Sequence, residues 1–84
     1  VPSDLNGLRQ RLDETDAAIL ELFDCRQRLS AAIGAYKGAH GLPVRDKDRE
    51  AEVLRTRGDM LPERRDQAER LMTLLMALSR EEQA

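Results

Sequence analysis

Cysteine and histidine are almost absent from this 84-residue sequence, which contains one of each. The single cysteine, Cys25, cannot form a disulfide within the chain. It has no cysteine or histidine at metal-ligand spacing, which is typical of a small packing residue in a reducing compartment. The single histidine, His40, argues against a histidine-based metal site or triad within one chain. We therefore predict no metal site.

Long apolar runs and a targeting signal are also missing. No uninterrupted apolar stretch approaches the roughly 20 residues that span a bilayer. The first four residues, Val-Pro-Ser-Asp, lack the basic and apolar regions of a signal peptide. The sequence therefore predicts a cytoplasmic protein without a membrane partner.

The sequence has no strong excess of either charge. Charged residues make up 36% of the chain, yet 14 basic and 16 acidic residues leave a net charge of −2. A broad basic field for nucleic acid is therefore excluded, and any anion site must be local. No strand pattern, repeat or glycine-rich loop is present, which argues against phosphate-binding folds built on sheets.

What the sequence does contain is a long amphipathic helix. Apolar residues recur in a series with alternating steps of three and four, in which Thr15 and Arg26 fill the two remaining places: Leu5, Leu8, Leu12, Ile19, Leu22, Leu29, Ile33 and Tyr36. No proline interrupts positions 5–37, which would form a rod about 50 Å long. Because a compact chain of this size has a radius of gyration of about 12 Å, one copy cannot cover the whole apolar stripe. We therefore expect an obligate homo-oligomer.

The residues that begin and end helices predict three helices in a single all-α domain, residues 1–84. Ser3 or Asp4 can cap the first helix, which runs through Lys37 toward Gly38 and a loop that extends to residue 45.

The second helix is predicted from its start signal and its glycine. Asp46 can cap a helix over about residues 47–57, which Gly58 is expected to end. Pro62 suits the first turn of a third helix, which extends to about Gln83.

Arg26 occupies a place in the apolar series where a nonpolar side chain is expected. An unpaired buried guanidinium is costly, so such a residue normally has an anionic partner. Ser30, Ile33 and Lys37 lie within about 40° of Arg26 on the helix wheel. The partner is either an acidic residue of another helix or an anionic ligand, and the periodicity does not decide between them.

Two further pairs have helical spacing. Asp46 and Glu50 are four residues apart with Arg49 beside them, and Ser79 and Gln83 are four apart near the end of the third helix. Each pair alone is typical of a cap, a dipole partner or a solvated surface. Together with Arg26 and Lys37, however, they resemble the all-helical chorismate mutases, the AroQ class. The resemblance extends from Leu8-Arg9 to Ser79-x-x-x-Gln83.

This resemblance implies an intertwined helical homodimer with two equivalent active sites. In this family chorismate, a dianion, rearranges to prephenate by a concerted pericyclic shift, without a cofactor or a general base. The implied site residues are Arg9, Arg26, Lys37, Asp46, Arg49, Glu50, Ser79 and Gln83.

The implied roles follow from the charge that develops in the reaction. Arg9 and Arg26 would hold the substrate carboxylates, because guanidinium groups bind them in bidentate fashion. Lys37 and Gln83 would donate to the ether oxygen as the C–O bond breaks. Gln83 is the second-last residue, where helices fray, so its role requires substrate or packing to order that turn.

The other four residues would hold the ring. Glu50, helped by the backbone near Asp46, would accept the C4 hydroxyl, and Arg49 and Ser79 would complete the ring-carboxylate side.

Arg9 is 17 residues before Arg26, about 26 Å along the rod. It is therefore expected to serve the partner's site across two antiparallel helices that cross near residue 20.

Three alternatives remain open at this stage. A 4-amino-4-deoxychorismate mutase would share the fold and the reaction, with an amine in place of the C4 hydroxyl. An isochorismate-pyruvate lyase shares the scaffold and ranks behind it. A catalytically silent helical dimer that binds a partner enzyme or an effector belongs to another class altogether.

Overall fold

The computed structural model describes residues 4–84, which form three α-helices and no strand. Helix α1 spans Leu5–Ala39, α2 spans Lys47–Met60 and α3 spans Arg65–Gln83. A 3-10 turn, Pro62–Arg64, connects α2 to α3. The expected all-α fold with a very long first helix is confirmed. Ser3, one of the two predicted caps, lies outside the described residues.

Helix α1 begins and ends close to the predicted positions. The Asp4 carboxylate accepts a hydrogen bond from the Gly7 backbone N–H at 2.7 Å, and caps the first turn as expected. At the other end the His40 backbone N–H donates to the carbonyls of Tyr36 and Lys37. The helix therefore extends two residues beyond Lys37, for 35 residues in all.

Helix α2 begins as predicted but does not end as predicted. Asp46 is its cap, and the carboxylate accepts from the Arg49 backbone N–H at 3.0 Å. The prediction that Gly58 ends the helix was wrong, because α2 continues to Met60. Gly58 allows a close approach instead, since a Cβ there would lie 2.6 Å from Nη1 of Arg65. Pro62 accordingly opens the 3-10 turn, and α3 begins three residues later.

Helix α3 packs against both other helices. Three hydrogen bonds between α1 and α3 join Arg26 to Leu75, Ser30 to Ser79, and Lys37 to Gln83. Because the residue numbers rise together along both helices, α1 and α3 run parallel. Within residues 4–84 the apolar core is small and consists of the buried residues Val53, Ala68 and Met76. Among residues 4–84, no helix is long and apolar enough to cross a bilayer.

The shape of the protomer is elongated rather than compact. Its extents are 54 × 25 × 14 Å and its radius of gyration is 16.2 Å, whereas a compact chain of this length would have about 12 Å. The apolar stripe of α1 is largely uncovered, with Leu22 70% exposed and Leu12 58% exposed. Cys25, predicted to be a packing residue, is likewise exposed in the protomer.

Candidate active site

An open cavity of about 400 Å³ lies where the three helices meet. Seven of the eight residues predicted for the site line it together: Arg26, Lys37, Asp46, Arg49, Glu50, Ser79 and Gln83. The eighth, Arg9, is exposed on the first half of α1 and does not line the cavity. One chain thus brings together all of the predicted residues except the one expected to act across an interface.

The last turn of α3 lies directly against α1 at Gly34. A Cβ on Gly34 would be 2.6 Å from Cα and 2.8 Å from the carbonyl oxygen of Gln83, closer than real contacts allow. One turn earlier on each helix, Oγ of Ser30 and Oγ of Ser79 are 2.6 Å apart, and both side chains are buried. The absence of a side chain at Gly34 therefore allows the end of α3 to line the cavity.

A chain of hydrogen bonds connects Lys37, Gln83 and Ser79. Nζ of Lys37 donates to Oε1 of Gln83 at 2.8 Å and to the Val44 carbonyl at 2.6 Å, and Nε2 of Gln83 donates to Oγ of Ser79 at 3.0 Å. Nζ keeps a third N–H and Nε2 a second one. Gln83 is the last residue of α3, and these contacts hold its side chain in place. Two adjacent donors thus remain for an acceptor in the cavity.

Arg26 has no acidic partner within ion-pair distance in residues 4–84. Its Nη1 donates to the Leu75 carbonyl at 3.1 Å. Burial, and secondarily the charge of Arg57, lower the pKa of the Arg26 guanidinium from its ordinary value. Arginine nevertheless stays protonated at neutral pH. Of the two partners considered for Arg26, the anionic ligand is therefore favoured.

Glu50 is held between two cations. Its Oε2 accepts from Nη1 of Arg80 at 2.5 Å, and its Oε1 lies 3.4 Å from Nε of Arg45. Arg49, one residue earlier, pairs with Glu52 at the surface while it lines the cavity. The carboxylate expected to meet the C4 hydroxyl is thus fixed in position by its neighbours.

Arg57 and Arg80 also line the cavity, and the sequence interpretation missed both. Arg57 lies seven residues after Glu50, two helical turns along the same face, so the spacing could have indicated it. Arg80 lies 30 residues from its partner Glu50, and no local pattern signals that pairing. With these two residues the lining contains five cationic side chains and two carboxylates, a net formal charge of +3. The cavity is suited to a small polyanion.

The family model described as chorismate mutase type II matches residues 8–84. The T-protein of Enterobacter agglomerans is 38% identical over 55 residues, which are 66% of this chain and 15% of that protein. The 4-amino-4-deoxychorismate mutase of Streptomyces pristinaespiralis is 41% identical over 49 residues, 58% of this chain and 38% of that protein. The chain therefore spans well under two thirds of both curated relatives.

A solved structure matches over the full length. It is a conserved hypothetical protein from Pyrococcus furiosus, which is 31% identical and superimposes with a TM-score of 0.81. The match covers 100% of both chains.

Proposed function

The chain belongs to the chorismate mutase type II family, and we propose that it catalyses the rearrangement of chorismate to prephenate in aromatic amino-acid biosynthesis. The observation that supports this most strongly is the cavity itself. Its lining carries a net formal charge of +3, and its half-buried Arg26 has no carboxylate partner in the described residues. Chorismate, a dianion, supplies the missing negative charge.

The reaction needs the substrate to be held in a folded conformation. Arg26, together with Arg9 of a second copy, holds the two carboxylates, and Arg49 contributes on the ring-carboxylate side. Arg57 adds positive charge beside Arg26. When both substrate carboxylates are held, the enolpyruvyl arm lies over the ring. The entropy of folding the substrate is then lost on binding rather than in the reaction step. No nucleophile or general base takes part, because bonds form and break in one concerted step.

Negative charge on the ether oxygen is stabilised by donors that are already in place. Nζ of Lys37 and Nε2 of Gln83 belong to one hydrogen-bonded chain and each has a free N–H. Donors held in advance toward a developing charge lower the barrier without reorganisation during the reaction. On the opposite side Glu50 accepts the C4 hydroxyl, with the backbone near Asp46 beside it, while Ser79 completes the ring-carboxylate side.

The active form that we propose is an intertwined homodimer. Leu5, Leu8, Leu12, Ile19 and Leu22 are all at least half exposed in the protomer, which leaves the stripe of α1 for a second copy. If two such helices run antiparallel and cross near Ala17 and Ala18, Arg9 of one chain reaches the cavity of the other. Arg9 then binds a carboxylate in the partner's site.

The same cavity supports a second candidate, a 4-amino-4-deoxychorismate mutase, because a relative of that name is 41% identical over 49 residues. An isochorismate-pyruvate lyase and a non-catalytic helical dimer remain the more distant alternatives. The silent dimer differs from all the others in one measurable respect, since it converts none of chorismate, 4-amino-4-deoxychorismate and isochorismate.

A direct assay tests the proposal. Purified protein is mixed with chorismate, the loss of chorismate absorbance is followed, and prephenate is identified in the product. The matched pair of variants is Lys37→Ala and Lys47→Ala, which replaces the only two lysines of the chain, one inside the cavity and one outside it. We expect Lys37→Ala to lose about a thousandfold in kcat/KM and Lys47→Ala to retain its activity. Unchanged chorismate in the presence of folded parent protein would refute the proposal.

A further inference from the structure

Arg80 contacts the carboxylate that faces the substrate's C4 position in the proposed function. The 2.5 Å bond from Arg80 to Oε2 of Glu50 and the 3.4 Å approach of Arg45 to Oε1 engage both carboxylate oxygens. The Glu50 side chain is only 18% exposed and that of Arg80 30%. The charges of the Arg80–Glu50 pair are therefore screened by water and salt less than those of a surface pair, whereas the Arg45 side chain is exposed.

Glu50, with Arg45 and Arg80 beside it, favours a hydroxyl group over an ammonium group as its hydrogen-bond donor. A carboxylate has about four acceptor positions, so Glu50 can still accept a hydrogen bond from a hydroxyl group. An ammonium group in the same place would lie close to two guanidinium groups, and like charges at such distances disfavour the charged form. Arg45, Glu50 and Arg80 together carry a net formal charge of +1, which does not attract a second cation.

The net charge of the whole cavity lining also disfavours an ammonium group on the ligand. The net charge of +3 falls to +1 when a dianion binds, but only to +2 when the ligand also carries an ammonium group. The other carboxylate of the lining, Asp46, is engaged as the cap of α2, where it accepts from the Arg49 backbone N–H at 3.0 Å. This bond engages only Oδ1 and fixes the orientation of the Asp46 side chain, so the preference depends on Glu50 and on the net charge of the lining.

We propose that Arg80, through its pair with Glu50, makes this site select a ring hydroxyl over a ring ammonium group, so that the substrate is chorismate rather than its 4-amino analogue. The inference rests on the proposed function. The sequence alone favoured chorismate but did not exclude its 4-amino analogue, because Asp46 and Glu50 suit either group when their neighbours are unknown.

The test is a comparison of kcat/KM for chorismate and for 4-amino-4-deoxychorismate. Parent protein, Arg80→Met, Arg80→Lys and the control Arg70→Met are assayed with both. Arg70 also belongs to α3 and pairs with an acidic residue, Asp66 at 3.1 Å, but it lies at the surface away from the cavity. We expect the parent to prefer chorismate by at least about tenfold, and Arg80→Met to reduce that preference about tenfold. Arg80→Lys and Arg70→Met should keep the parent's ratio within about threefold.

Each outcome decides the matter. An equal loss of both rates in Arg80→Met, with the ratio unchanged, makes Arg80 a structural residue and overturns the inference. A parent that prefers the amine also overturns it, while the rearrangement itself stands. A parent that converts neither substrate refutes the proposed function, and the inference with it. If circular dichroism shows that Arg80→Met is unfolded, Arg80→Gln replaces it, and the parent's own ratio remains a test.

Discussion

The two halves of α1 have different environments although they form one uninterrupted helix. In residues 4–25 every hydrogen bond and ion pair stays within the helix and its cap, such as Thr15 with Arg11 and Asp24 with Arg28. From Arg26 onward the side chains reach α3, through Arg26, Gln27, Ser30 and Lys37. The second half builds the cavity, and the first half presents apolar and charged side chains outward.

This difference indicates how a short chain can hold a large site. Three buried apolar residues make a small core for residues 4–84, and near this chain length a single core supplies limited stability on its own. A second copy that covers the first half of α1 would add the missing apolar contact and, with it, Arg9. Stability and catalysis would then depend on the same contact between chains.

The largest expected effect comes from removing one residue from each half. Arg9→Ala and Lys37→Ala should each lose about a thousandfold in activity as homodimers. When the two are unfolded together and refolded, half of the dimers gain one intact site, so about a quarter of native activity should return. Arg11→Ala, two residues along the same helix, serves as the control for Arg9. No recovery in a mixture that contains heterodimers would rule out the shared site.

Arg26, where the two halves meet, should separate activity from stability. Its folded-state pKa is lowered, so the protonated guanidinium destabilises the fold at all pH values below that pKa, which include neutral pH. Arg26→Leu should therefore lose about two to three powers of ten in kcat/KM, yet keep or slightly raise the free energy of unfolding, because the partial exposure of Arg26 lets water screen much of the penalty. Thermal unfolding of this variant and of the exposed Arg28→Leu tests the expectation. A large loss of stability in Arg26→Leu alone would indicate a structural role.

The next effect depends on pH and concerns Gln83, the residue of α3 that bonds to Lys37 in the second half of α1. An amide keeps its N–H groups at all accessible pH values, so the parent rate should be nearly flat across neutral pH. In Gln83→Glu a carboxylate beside Lys37 would face the developing oxyanion near pH 8, and we expect about a hundredfold loss there and much less at mildly acidic pH. The surface substitution Gln67→Glu is the control. A Gln83→Glu profile that follows the parent at every pH would show that Gln83 does not contact the ether oxygen.

The smallest effect is expected from a single methyl group. In Gly34→Ala the new Cβ must displace the Gln83 backbone, so we expect about tenfold lower kcat/KM and a loss of about 1–2 kcal/mol of stability. Gly38→Ala is a matched control on the same helix, because nothing lies within 4 Å of its Cβ position. It should gain up to about 1 kcal/mol from helix propensity alone. Equal behaviour of the two variants would contradict the close approach.

The sequence was informative where the signal is local. Periodicity and the Asp4 and Asp46 caps predicted the start of α1 and of α2 well, because a cap bonds within its own first turn. Gly58 misled because a glycine signals either a stop or a close contact, and the choice depends on Arg65, seven residues away.

The site itself required more than periodicity. Seven of its predicted residues line one cavity, but they were chosen through resemblance to a family rather than from spacing. The pair of Arg80 with Glu50 spans 30 residues and two helices, so no local pattern could reveal it. The position of Arg9 relative to a second chain stays a prediction.

The parallel arrangement of α1 and α3 has a consequence for folding kinetics. The hydrogen bonds that connect them join residues 46 to 51 positions apart in the chain. Such contacts form only after a long loop has closed, and the chain entropy lost in closing it delays them relative to the helices themselves. Helical structure should therefore appear early during refolding, whereas the cavity should form late. A time course of ligand binding should lag behind the recovery of helicity.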